Sequence, residues 1–191
     1  SVLQALSAEA ALVQTPREIS WLSSLRLGGD ACAHGTLQAL RVCSSRVPLL
    51  EPHECAAMIE SCETHAAASG GWSTQRHTTV PTTDMPVHAV DSVLRAFNDA
   101  CASRIFPFLE REYSASMGAT AARLRVSDAF VVRYDAAAQR SLPTHQDDSH
   151  LSLTIALNDA SEYDGGGTAF EDVDGASPSR PIVASPQLGH V

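Results

Sequence analysis

The sequence predicts an α+β fold, in which helices come first and a β-sandwich or jelly roll follows. Two observations carry that expectation. From residue 52 to 108 apolar side chains recur at helical spacing, whereas after residue 123 they fall into short, near-alternating runs broken by glycines. Helices followed by closely spaced strands pack as a helical layer on one side of a sheet structure. At 191 residues the chain has length for one domain with a substantial core.

The elements follow in order. Residues 1–46 are rich in Ala and Leu, interrupted by Pro16 and Gly28-Gly29, and are expected to form an N-terminal extension or helical lead-in; the domain proper is expected over 47–191. Val47-Pro48-Leu49-Leu50 predicts a short strand. Pro52 suits a first helical turn, and the helix carries Cys55, Met58, Ile59 and Cys62 before Ser69-Gly70-Gly71 stops it. Asp91 and Ser92 can cap a second helix bearing Val93, Leu94, Phe97, Cys101, Ile105 and Phe108, bent or restarted at Pro107. Leu124–Val126, Ala129–Tyr134, His150–Leu157 and Thr168–Glu171 then predict strands, with Gly165-Gly166-Gly167 as a break.

Composition narrows the function. Hydrophobic residues at 44% and charged residues at 18% describe a soluble globular protein, and no run of about 18 apolar residues is present to span a membrane. Residues Ser1 to Leu12 lack the basic start and apolar stretch of a secretory signal, and the compartment and oligomeric state are not readable. A net charge of −9 without a basic cluster argues against nucleic acid as a partner. Five cysteines without a Cys-x-x-Cys pair give no zinc or dithiol motif, and Cys55 and Cys62 are expected in the core. His53, His65 and His88 have no partners in register and are expected at the surface or near caps.

The chemistry centres on Pro143-Thr144-His145-Gln146-Asp147-Asp148-Ser149. In extended backbone residues i and i+2 share a face, so His145 and Asp147 can reach one metal ion. An imidazole nitrogen and a carboxylate oxygen are two of the three ligands in the facial triad of non-haem Fe(II) sites. By itself the signal is weak, since chance gives roughly half a His-x-Asp per chain of this composition, so a polar loop before a strand is the alternative.

The surrounding motifs are more specific. Phe130-Val131-Val132-Arg133-Tyr134 precedes the pair; Leu151 to Asn158 follows it, and then Tyr163-Asp164-Gly165-Gly166-Gly167-Thr168-Ala169-Phe170. This order resembles the catalytic domain of procollagen lysyl hydroxylases and the related prolyl 4-hydroxylases, closely over 128–171 and more loosely back to Val47. The resemblance implies a double-stranded β-helix (jelly-roll) core with supporting N-terminal helices. It also implies hydroxylation of a prolyl or lysyl side chain in a peptide, with Fe(II), 2-oxoglutarate and O2 as cofactors and ascorbate as an accessory. Related folds act on free amino acids and other small molecules.

Carried over by position, the resemblance makes His145 and Asp147 metal ligands. It places Tyr134 and Thr168 against 2-oxoglutarate; their alternatives are a core aromatic at a strand end and a structural β-former. Arg76 and His77 are substrate-side candidates, with a solvated loop as the alternative. The family's distal histidine and the Arg or Lys that pairs with 2-oxoglutarate would follow a strand that Ala184 to Val191 resembles at its start. Neither residue is in this sequence, and His190, directly after Gly189, lies about ten residues early for that ligand. A truncated C-terminal end is the expectation, with a non-catalytic binding module on the same fold as the rival reading.

Overall fold

The computed structural model describes residues 4–5, 18–27, 42–147, 149–170 and 181–191. Helix α1 spans Pro52–Ala68, with Pro52 in its first turn and Cys55, Met58, Cys62 and Ala66 on its buried side. The Glu54 carboxylate reaches back to accept the Glu51 backbone N–H at 2.7 Å, satisfying one of the donors that a helix start leaves open. Helix α2 (Asp91–Ala100) runs through a π-helical turn at Cys101–Ile105 into α3 (Phe106–Met117). Pro107 explains the slip: it has no N–H to give the Ser103 carbonyl, and the Phe106 N–H bonds back to Cys101 instead. The expected bend is therefore a change of helical register. Gly118, in left-handed conformation, ends α3.

The main sheet is antiparallel. It comprises β2 (Glu18–Leu27), β3 (Asp84–Pro86), β4 (Leu124–Tyr134) and β6 (Leu151–Ala156), in the order β3-β4-β2-β6. Two-stranded sheets pair β1 (Gln4–Ala5) with β5 (His145–Gln146), and β7 (Thr168–Phe170) with β8 (Ile182–Ala184). The two strands expected at 124–126 and 129–134 are one, with a bulge where Ser24 pairs with Asp128 and Leu25 with Val126.

Two local expectations change. Glu18–Leu27 is a strand rather than part of a helical lead-in, lying between β4 and β6 and bonded to both. Each neighbour leaves an open edge, and a strand closes both ladders at once. Val47–Leu50 is irregular: Pro48 has no N–H, and the Leu49 and Leu50 amides both donate to the Gly189 carbonyl, at 2.7 and 3.1 Å. The C-terminal stretch pairs with β6 through a parallel bridge, Leu188 to Ala156.

Register decides what each sheet face carries. Met85 stands opposite Val131, and both join Leu151, Leu153 and Ile155 in the core formed with α1 to α3. Leu50, Ile105, Leu124 and Ile155 are wholly buried there, each worth about 1.5–3 kcal/mol of transfer free energy. The other face follows by alternation. Asp84 stands opposite Val132, and Pro86 opposite Phe130. Through β2, Asp128 is in register with Ser152 and Phe130 with Thr154. Asp84, Asp128, Phe130, Val132, Ser152 and Thr154 therefore share the face turned away from the helices. Among the described residues no helix is long and apolar enough to cross a membrane.

Candidate metal centre

His145 is held by β5, whose backbone pairs Ala5 with His145 and Gln146 with Gln4. Asp147 follows two residues on, so extended backbone turns both side chains the same way. His145 Nε2 lies 3.4 Å from Asp147 Oδ1, with the side chains 13% and 11% exposed. The His145 Nδ1–H donates to the Pro143 carbonyl at 2.8 Å. That bond places the proton on Nδ1 in the neutral ring and leaves Nε2, beside Asp147, as the nitrogen that could coordinate a metal, while in the protonated ring Nε2–H donates to Asp147.

The carboxylate is equally positioned. Its Oδ2 is buried without a hydrogen-bond partner among the described residues. A buried, unpaired carboxylate oxygen costs free energy unless something outside the protein fills its place. Burial works to raise the Asp147 pKa. Hydrogen bonds from His145 and Ser152, with the charges of His145 and His77, outweigh burial and hold it below the ordinary carboxylate value. His145 is shifted the other way, raised by its hydrogen bond to Asp147 against the opposing effect of burial. Ser152 is itself 2.9 Å from the Ser149 hydroxyl. One nitrogen and one oxygen donor, adjacent, oriented and with an orphaned oxygen, suit a first-row divalent cation. Among the described residues no group of three His, Cys, Asp or Glu side chains converges on a metal position.

A cavity of about 70 Å³ adjoins Asp147, with walls that also include Ser152, Thr154 and Thr168 beside Phe108 and Tyr113. Thr168 is set there by the glycines before it. At Gly167, with φ +93°, a Cβ would meet Ser185 Oγ at 2.6 Å and the Ala184 carbonyl at 2.9 Å, so only glycine lets β8 approach so closely. The structure thus sets His145 beside Asp147, and Asp147 and Thr168 in the wall of one cavity. Tyr134, half-buried at the end of β4, is not part of this cavity wall. His190 is engaged elsewhere, its ring 3.1 Å from the Ser45 carbonyl.

Arg76 and His77 are not free loop residues. Arg76 Nε donates to Asp84 at 2.7 Å and Nη2 to Asp128 at 3.0 Å, over the Phe130 ring at 5.1 Å. Asp84, fully buried, also accepts from the Thr82 hydroxyl. Sequence reasoning missed Ser152 and the Asp84–Asp128 pair. Ser152 alternates with the core residues Leu151 and Leu153, which gave it no signal apart from Thr154, and Asp84 and Asp128, 44 residues apart, had none.

Comparisons with known proteins agree in kind. Over 139 residues, 64% of the chain, the sequence is 30% identical to the multifunctional procollagen lysine hydroxylase and glycosyltransferase LH3 of Rattus norvegicus, covering 17% of that protein. Against the Homo sapiens protein of the same name it is 28% identical over 158 residues, 74% of the chain and 19% of the relative. The chain thus spans less than a fifth of the curated relatives it matches, and the similarity, at 28–30% identity, is a distant one to a hydroxylase. No protein-family model matches the sequence, and no solved structure matches it.

Proposed function

We propose that this chain carries the Fe(II) site of a 2-oxoglutarate- and O2-dependent hydroxylase on a double-stranded β-helix core. Its substrate class is a prolyl or lysyl side chain in a peptide or protein. The observation that carries this reading is the His145–Asp147 pair, with Nε2 turned towards Asp147 Oδ1 at 3.4 Å and Oδ2 buried without a hydrogen-bond partner among the described residues. The ordered motifs from Phe130 to Phe170 and the distant similarity to a procollagen lysine hydroxylase support it.

Bound there, Fe(II) would supply activation of O2 and oxidative decarboxylation of 2-oxoglutarate to succinate and CO2, which hydroxylation of an unactivated C–H bond requires. The chain's own residues prepare the site. Pro143 keeps the His145 proton on Nδ1, and Ser152 holds the Asp147 carboxylate in place. Thr168 offers a hydroxyl to 2-oxoglutarate within a cavity whose Phe108, Leu153 and Phe170 walls keep bulk water away.

A second reading, a non-catalytic binding module on the same fold, is favoured by one observation: among the described residues only two metal-ligating side chains meet. Anaerobic addition of Fe(II) and 2-oxoglutarate separates the two. A weak visible charge-transfer band that His145→Ala abolishes supports the hydroxylase; no band, or one indifferent to that change, removes it. Succinate formed with peptides, or with free amino acids instead, then decides the substrate class.

A further inference from the structure

Between β4, which ends at Tyr134, and β5, which begins at His145, the chain runs through a loop in which only Leu142 is buried. β5 is two residues long and pairs with an equally short β1, and a ladder of that size holds little by itself. The placement of His145 therefore depends on how this loop is tied down.

The first half of the loop closes on itself. The Asp135 N–H donates to the Gln139 carbonyl at 2.8 Å, and the Ala138 N–H donates back to the Asp135 carbonyl at 3.0 Å. Asp135 Oδ1 accepts the Ala137 N–H at 2.8 Å, as an aspartate at a turn commonly does. This turn fixes the Gln139 backbone, and the Gln139 side chain ties the turn to the residues that lead into β3. The Thr83 N–H donates to Gln139 Oε1 at 2.5 Å, and Gln139 Nε2 donates to the Pro81 carbonyl at 2.7 Å. A backbone N–H can only donate and a carbonyl only accept, so the two partners fix which end of the carboxamide is which. The Thr83 carbonyl in turn accepts the Arg133 N–H at 2.8 Å, and Asp84, fully buried, is held by Arg76. Gln139 is thus braced against a segment that is itself anchored to β4 and the buried carboxylate.

The second half leads to the metal pair. Leu142, 7% exposed, is the next fixed point, and Pro143 disfavours helical backbone at Leu142. The Pro143 carbonyl then accepts the His145 Nδ1–H at 2.8 Å. Gln139 and Leu142 are the two ties on the stretch that carries this carbonyl.

We propose that Gln139 is a positioning residue of the metal centre. Its carboxamide braces the loop against Pro81 and Thr83, and so holds the Pro143 carbonyl where it orients the His145 ring. The proposal rests on reading His145 and Asp147 as metal ligands, and it holds for a hydroxylase and for a binding module alike. Gln139→Glu breaks the brace without changing side-chain size: a carboxylate still accepts from Thr83, but sets a negative oxygen against the Pro81 carbonyl.

The test is Mn(II) binding to the full chain by electron paramagnetic resonance. Coupling to an imidazole nitrogen in the spin-echo spectrum, at saturating metal, reads His145 coordination. Gln139→Glu and Gln139→Met are each expected to bind Mn(II) about tenfold more weakly and to lose most of that coupling, tenfold being the lower end of what loss of an outer partner costs. Glu54→Gln, which removes an ion pair between α1 and Arg104, is the control for lost stability and should bind as the wild type. Wild-type affinity or undiminished coupling in either Gln139 variant, or an equal loss in Glu54→Gln, would overturn the proposal. Failure of the metal reading shows separately, in the wild type, and takes the proposal with it: no Mn(II) binding, or a nitrogen coupling that His145→Ala leaves intact.

Discussion

Ser152→Ala removes a hydroxyl that supports Asp147 and lines the adjoining cavity. The carboxylate it supports is 11% exposed and has one oxygen without a hydrogen-bond partner among the described residues, so little water is at hand to replace the lost donor. A hydrogen bond to a charged group contributes about 1.5–3 kcal/mol, and loss of an outer partner of a metal ligand typically lowers affinity about 10–100-fold, or roughly 1.4–2.7 kcal/mol. The two ranges overlap, and the expected loss is about 2 kcal/mol of divalent-metal binding. Mn(II) binding followed by electron paramagnetic resonance measures it without turnover. Ser152→Thr should bind nearly as the wild type. Ser149→Ala should fall between, because the Ser149 hydroxyl reaches Asp147 only through Ser152, at 2.9 Å. A Ser152→Ala protein binding Mn(II) within twofold of wild type would refute the claim that this hydroxyl positions the ligand.

Other expectations concern the scaffold. Gly189 has φ +76° and a Cβ there would strike the Leu50 backbone carbonyl oxygen, which cannot rotate aside; Gly189→Ala should cost about 2–4 kcal/mol and lower Tm on the order of 10 °C by calorimetry. The Glu54 pKa is lowered, chiefly by its hydrogen bond from Arg104 and against the effect of burial, at N–O distances of 2.6 and 2.8 Å. A depressed carboxylate stabilises the fold above its unfolded pKa of about 4.3, and that contribution disappears as pH falls through the lower folded value. Both side chains are about a quarter exposed, so urea titrations should find Glu54→Gln about 1 kcal/mol less stable at pH 7, the gap closing in acid. Burial pushes the thiols of Cys55, Cys62 and Cys101 up to about 12, so in native protein iodoacetamide should modify half-buried Cys43 and spare those three until denaturant is added.

Much of the local structure was legible because its causes are local. Pro52 before a 3.6-residue apolar period dictates α1, Gly70 and Gly71 end it, and Pro107 disturbs the helix that contains it. The His145–Asp147 pair needs only extended backbone to share a face, and the sequence around it was enough to single it out. What the pair can do depends on contacts no window of sequence contains. Ser152 reaches Asp147 from another strand, Thr168 enters the cavity only because Gly167 lets β8 come close, and Arg76 joins Asp84 to Asp128 across 44 residues. Residues 18–27 are the clearest case. Their Ala- and Leu-rich surroundings favour helix, yet the chain places them between β4 and β6, because the unpaired edges of both strands offer more hydrogen bonds than an isolated helix could recover. The sequence by itself determined most helices and strands after residue 51 and singled out His145 and Asp147 as a candidate pair; tertiary structure alone decided their partners, because strand order and side-chain networks arise from long-range pairing that leaves no periodicity to read.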